Sequence, residues 1–68
     1  MTPKQVRSRV NKIRTSARDF EAAHSMEDTL HQDVLWYIAT GNPTIEEARE
    51  LAYEAMRTKT ISFKRVSA

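Results

Sequence analysis

The sequence contains no cysteine, only one glycine and only two prolines. Without cysteine, a disulfide framework, a thiolate metal site and a cysteine nucleophile are all excluded. A single glycine cannot build a glycine-rich phosphate loop. The longest apolar run, residues 34–39, is far shorter than the roughly 20 residues of a membrane span, and the polar residues 1–5 do not resemble a signal peptide. We therefore expect a cytoplasmic protein that has no contact with a membrane.

Charge is segregated along the chain. Residues 1–18 carry six bases and no acid, whereas residues 19–56 carry all nine acids and one base, Arg49. The remaining four bases lie in residues 57–65, so the formal net charge of +2 conceals segments of +6, −8 and +4. This segregation indicates charge complementarity within the fold, an anionic partner, or both.

Capping signals and apolar periodicity predict an all-α, three-helix domain over residues 1–58. The first helix, at about residues 3–22, starts at a capping box closed by Gln5, with proline in the first helical position. Apolar residues then recur every three or four positions, which is typical of one helix face. They are Val6, Val10, Ile13, Ala17 and Phe20.

The second and third helices are predicted at about residues 26–40 and 45–58. Ser25 is the candidate N-cap of the second helix, and Gly41 suits a left-handed residue at its end. Thr44 and Glu47 form a capping box at the start of the third. The third helix has one apolar face, formed by Ile45, Ala48, Leu51, Ala52, Ala55 and Met56. The third helix also carries glutamates that we expect to be solvated, namely Glu46, Glu50 and Glu54.

Residues 59–68 are predicted to form a basic, extended C-terminal arm. The segment 60–63 alternates polar and apolar residues with a period of two. Because the chain offers no second strand, the arm either docks on the helices or pairs with the same segment of another subunit. We favour docking on the helices.

The predicted central helix is apolar on two sides, because Leu35 and Trp36 project away from its main stripe. Either the C-terminal arm or another molecule must cover this second side. We expect the arm to cover Trp36, and the alternative is that Trp36 anchors an interface. The candidate protein-interface residues are Leu35, Trp36, Ile61 and Phe63.

No group of residues predicts catalysis, a cofactor or a metal. His24, Asp28 and His31 occur at helical spacing, but Ser25 as the N-cap would leave His24 outside the helix, and a fourth ligand is missing. The glutamates of the third helix have no apolar pocket to raise a pKa. A chain of this size also has little room for a small-molecule cleft. We therefore expect no enzyme and no small-molecule substrate.

Nucleic acid is the alternative partner. The second and third helices superficially resemble a helix-turn-helix, but the phosphate backbone would repel the glutamates of the third helix. A nucleic acid would have to contact the basic flank of the first helix and the basic tail. The candidate residues are Lys4, Arg7, Arg14, Arg18, Lys59, Lys64 and Arg65. These bases could instead face the acidic helices, within the domain or between subunits.

Two short stretches carry a family resemblance. Residues 23–28, continuing through Val34-Leu35 to Gly41, and the closing residues 61–65 resemble small proteins of actinobacteriophages and their hosts, which are largely of unknown function. The resemblance implies a phage protein acting in a host bacterial cytoplasm. It supplies no functional residues.

These observations predict a small non-catalytic protein-interaction module that self-associates through the central helix and the C-terminal arm. A chain of this length buries only about 60% of the surface that its unfolded form exposes, so association would add needed stability. The expected partner is a second copy or a host protein. The alternative is a nucleic-acid-binding accessory or regulatory protein.

Overall fold

The computed structural model describes residues 1–65 and contains three α-helices. Helix α1 spans Pro3–Thr15, α2 spans Phe20–Thr40, and α3 spans Ile45–Met56. A 3₁₀-helix, Arg57–Thr60, continues from α3, and residues 61–65 have no regular secondary structure. The predicted all-α, three-helix fold is confirmed. Part of the predicted arm at 59–68 lies in the 3₁₀-helix, and its residues 66–68 lie outside the described part of the chain.

The boundary between α1 and α2 differs from the prediction. α1 ends at Thr15 rather than near residue 22, and the Thr15 hydroxyl donates to the Lys12 carbonyl at 2.9 Å, a local bond that competes with helix continuation. Asp19 caps α2, since its carboxylate accepts from the Ala22 N–H at 3.1 Å. Ser25 therefore lies inside α2 and does not cap it.

The two predicted capping boxes are present. At the start of α1, the Thr2 N–H donates to the Gln5 side chain at 2.9 Å, and the Gln5 N–H donates to the Thr2 hydroxyl at 3.2 Å. At the start of α3, the same exchange between Thr44 and Glu47 has two distances of 3.1 Å. Both boxes satisfy backbone donors that the first turn of a helix leaves unpaired.

Gly41 ends α2 as predicted, but not in a left-handed conformation. Its φ is −85° and its ψ is −162°, and its N–H donates to the Tyr37 carbonyl at 2.7 Å. A Cβ atom at this position would lie 2.6 Å from the same Tyr37 oxygen. Glycine is therefore favoured here by its close approach to the Tyr37 carbonyl, one turn earlier in α2, rather than by its φ angle.

One apolar core lies between the three helices and also includes Ile61. α2 and α3 run antiparallel, because His31 of α2 contacts Ala55 near the end of α3, while Glu27, one turn earlier, contacts Lys59. The core residues are Val6, Val10, Ile13, Ala23, Leu30, Val34, Leu51, Ala55 and Ile61. Within residues 1–65, no helix is long and apolar enough to cross a membrane.

Candidate interaction surfaces

A buried carboxylate on α2 binds the basic tail. Glu27 is 2% exposed, and Arg65 donates to both of its oxygens, from Nε at 3.0 Å and from Nη2 at 3.1 Å. The Lys59 ammonium lies 3.6 Å from the same carboxylate. The two-oxygen contact with Arg65 is the bidentate geometry that a guanidinium favours. Residues 57–65 are thus held to α2 by charge as well as by the burial of Ile61.

The pKa of Glu27 reflects two opposing effects. Burial raises the pKa, but hydrogen bonds from Arg65 and Thr58, together with the charges of Arg65 and Lys59, outweigh burial and lower the pKa to about 2. A carboxylate with so low a pKa is a poor general base near neutral pH. This arrangement favours a structural role for Glu27.

A second buried carboxylate joins α3 to α1. Glu54 was predicted to be solvated, and that prediction is wrong, because the residue is only 7% exposed. Arg7 donates to it at 2.7 Å and Arg57 at 3.2 Å. The hydrogen bond from Arg7 holds the pKa of Glu54 below its usual value, against the effect of burial and with help from Arg57. Glu54 follows Leu51 by three residues and so borders the core face of α3.

These two carboxylates engage three of the seven candidate nucleic-acid contacts, namely Arg7, Lys59 and Arg65. Of the other four, Arg14 donates to Asn11 at 2.8 Å, and the Lys64 ammonium lies 5.8 Å from the Phe20 ring centre. The remaining two, Lys4 and Arg18, are exposed. Nucleic-acid contact through these bases stays a prediction.

The candidate protein-interface residues fall into two groups. Leu35 and Trp36 on α2 are 68% and 70% exposed. Ile61 is buried in the core, and Phe63 is half-buried against it, with the Arg65 guanidinium 4.0 Å from the centre of its ring. The expectation that the arm covers Trp36 is therefore wrong, because the apolar residues of the arm, Ile61 and Phe63, pack in or against the core instead.

An apolar groove lies between α2 and α3, and Leu35 is part of its lining. It has a volume of about 170 Å³, and its lining includes Ile38, Ala52 and Met56. Met56 and, outside the groove, Ile45 are large apolar side chains of α3 that remain mostly exposed. We refer to the groove together with Leu35, Trp36, Ile45 and Met56 as the α2/α3 face. Sequence reasoning placed Ile45 and Met56 on a core face and so missed their exposure.

The three side chains at helical spacing on α2, His24, Asp28 and His31, do not converge on one point. His24 and Asp28 lie 3.6 Å apart on α2, between Nε2 and Oδ2. The Nε2 atom of His31 instead lies 3.2 Å from the Ala55 carbonyl and 3.1 Å from the Thr58 hydroxyl. Among residues 1–65, no group of three acidic or histidine side chains is placed to hold a metal ion. His31 thus joins α2 to the end of α3.

Comparison with protein-family models, with curated proteins and with solved structures gave no match to this chain. The resemblance to small actinobacteriophage proteins therefore stays a prediction. The surfaces described above are the basis for a functional proposal.

Proposed function

We propose that this chain is a small, non-catalytic protein-interaction module that self-associates through the α2/α3 face. The observation that carries the proposal is the exposure of Leu35, which lines the apolar groove, and of the adjacent Trp36, at 68% and 70%. Buried tryptophan side chains often dominate the free energy of an interface. Leaving two such large apolar side chains side by side in water is unfavourable for a monomer.

The apolar area of the α2/α3 face suits a partner that presents an apolar surface of similar area. Its four exposed apolar side chains and the groove present on the order of 500 Å² of apolar surface, near the upper end for a soluble monomer. A standard interface takes about 800 Å² from each partner, including a polar rim. A second copy supplies the same apolar face, so both patches would be buried in one contact.

Charges around the face favour a two-fold, antiparallel contact between copies. Asp28 precedes Leu35 by seven residues on α2, and Arg49 precedes Met56 by seven residues on α3, so each charge shares a stripe with an apolar residue of the face. Because α2 and α3 are antiparallel, these opposite charges lie at opposite ends of the face. A two-fold axis through its centre would bring Asp28 of one copy towards Arg49 of the other.

The paired bases make a nucleic acid the less favoured partner. Lys59 and Arg65 pair with the buried Glu27, and Arg7 uses one guanidinium nitrogen on Glu54. A nucleic-acid backbone along the predicted basic surface would have to compete with the two ion pairs of Glu27 or do without Lys59 and Arg65. A host protein partner and a phage setting are further predictions that the α2/α3 face neither requires nor opposes.

Sedimentation velocity over a concentration series tests the proposal. We expect the native chain to sediment as a concentration-dependent mixture of monomer and dimer. Leu35→Lys places a charge in the contact and should weaken dimerisation by at least tenfold, because burial of an unpaired charge is costly. Helical circular dichroism should be unchanged, since Leu35 is exposed.

Ser8→Lys is the matched control, because it adds the same charge at an exposed position of α1, away from the α2/α3 face. This variant should dimerise like the native chain. A native chain that remains monomeric at high concentration would overturn self-association. Equal weakening by both lysine variants would mean that net charge, rather than this face, controls association.

A further inference from the structure

A cleft between α1 and α3 brings three arginines together. It has a volume of about 210 Å³, and one buried glutamate lies at its edge. The lining residues are Arg7, Val10, Asn11, Arg14, Glu54 and Arg57. None of these lining residues belongs to the α2/α3 face, which lies on the other side of α3.

Glu54 positions two of the arginines and leaves most of their donors free. Arg7 and Arg57 each donate to Glu54 through a single nitrogen, Nη1. A guanidinium has five N–H donors, and the other nitrogens of both side chains have no hydrogen-bond partner among residues 1–65. Both side chains are about half-exposed and can therefore be reached from solvent. Within residues 1–65, Arg14 similarly uses only Nη1, in a bond to Asn11.

The charge of the cleft decides which ligand it fits. Three guanidinium groups and one carboxylate give the lining a net charge of +2. Arg14 and Arg57 lie close to the C-terminal ends of α1 and α3. The dipole of each helix places about half a negative charge at that end, which repels an anion. The net charge of the side chains is larger than this combined effect.

We propose that the cleft between α1 and α3 binds a doubly charged phosphate group, as inorganic phosphate or as a phosphomonoester. Arginines are suited to this ligand because their planar donor pairs match two phosphate oxygens at once. A phosphomonoester presents two charges and three terminal oxygens to these donors, whereas a phosphodiester presents one charge and two terminal oxygens, so the arginines hold the phosphomonoester more tightly. This inference does not rest on self-association, because the two surfaces share no residue.

Isothermal titration calorimetry of the full chain at pH 7.5 and low salt tests the site. The probes are inorganic phosphate, glycerol phosphate and a short oligonucleotide without terminal phosphates. We expect saturable binding of inorganic phosphate, of glycerol phosphate or of both, and the tighter of the two identifies the source of the ligand. Arg14→Gln should weaken binding at least tenfold, because it removes a charge-assisted hydrogen bond.

Arg18→Gln is the matched control, since it removes one exposed arginine that does not line the cleft. This variant should bind phosphate like the native chain. Because the Arg14 side chain is hydrogen-bonded only to Asn11 within residues 1–65, its replacement should leave helical circular dichroism unchanged. Arg57→Gln provides a second test. Absence of saturable phosphate binding, or equal losses in Arg14→Gln and Arg18→Gln, would overturn the proposal. Binding of the oligonucleotide alone would overturn it in favour of a nucleic-acid backbone.

Discussion

At the scale of single residues, the segregated charge of the sequence is partly resolved by two buried carboxylates. Glu54 pairs with Arg7 of the basic N-terminal segment, and Glu27 pairs with Lys59 and Arg65 of the basic tail. The burial of Glu27 could have been predicted, because Glu27 lies between Ala23 and Leu30 on an apolar stripe of the helix. Its pairing with Arg65 could not have been predicted, since the two residues are 38 positions apart.

The pairing of Glu27 predicts a loss of stability in acid. Its pKa is about 2 in the folded chain and 4.5 in an unperturbed glutamate, so the ionised form favours the folded state. This contribution, about 3 kcal/mol, is complete well above pH 4.5 and is lost as the pH falls towards 2. Urea unfolding of the native chain and of Glu27→Gln should show this directly.

We expect Glu27→Gln to be less stable than the native chain at pH 7, because it leaves Arg65 without its carboxylate. The difference in free energy of unfolding between the two proteins should be smaller by about 2 kcal/mol at pH 3 than at pH 7. Glu46→Gln, at an exposed position, is the control and should change the free energy of unfolding by less than about 0.5 kcal/mol. If Glu27→Gln lowered the free energy of unfolding equally at both pH values, the assigned pKa would be contradicted.

At the scale of helices, local signals predicted which elements form better than where they end. The capping boxes at Thr2 and Thr44 place the starts of α1 and α3 correctly, because both partners lie within four residues. The junction at residues 16–19 was missed, since the apolar spacing continues through it and hides the break. Asp19 is the residue that could have revealed it, as an N-cap ahead of Phe20.

Gly41 provides a test at this scale. Gly41→Ala should destabilise the chain by about 1 to 3 kcal/mol, because its Cβ would meet the Tyr37 carbonyl at 2.6 Å and force a backbone shift. Gly41→Asn should be no milder, since the φ of −85° is not left-handed. Thermal unfolding of both variants, with Asn42→Ala as the exposed neighbour control, measures this. A clear rescue by asparagine would indicate that the left-handed prediction was right.

At the scale of the whole molecule, the sequence could predict only half of the proposed contact. Leu35 and Trp36 stood out because they leave the main stripe of α2. On α3, residues from Ile45 to Met56 formed one wide apolar face, and the sequence does not specify how much of such a face three short helices can cover. Packing decides this, and it leaves Ile45 and Met56 exposed beside Leu35.

The most direct measurement of the proposed contact uses Trp36, the single tryptophan of the chain, as its reporter. Acrylamide is a neutral quencher, so its access to Trp36 does not depend on the charges of the molecule. We predict that quenching decreases as the protein concentration rises, because a second copy covers the indole. This decrease should be absent in Leu35→Lys. Equal quenching of native Trp36 from low to high concentration would contradict self-association through the α2/α3 face.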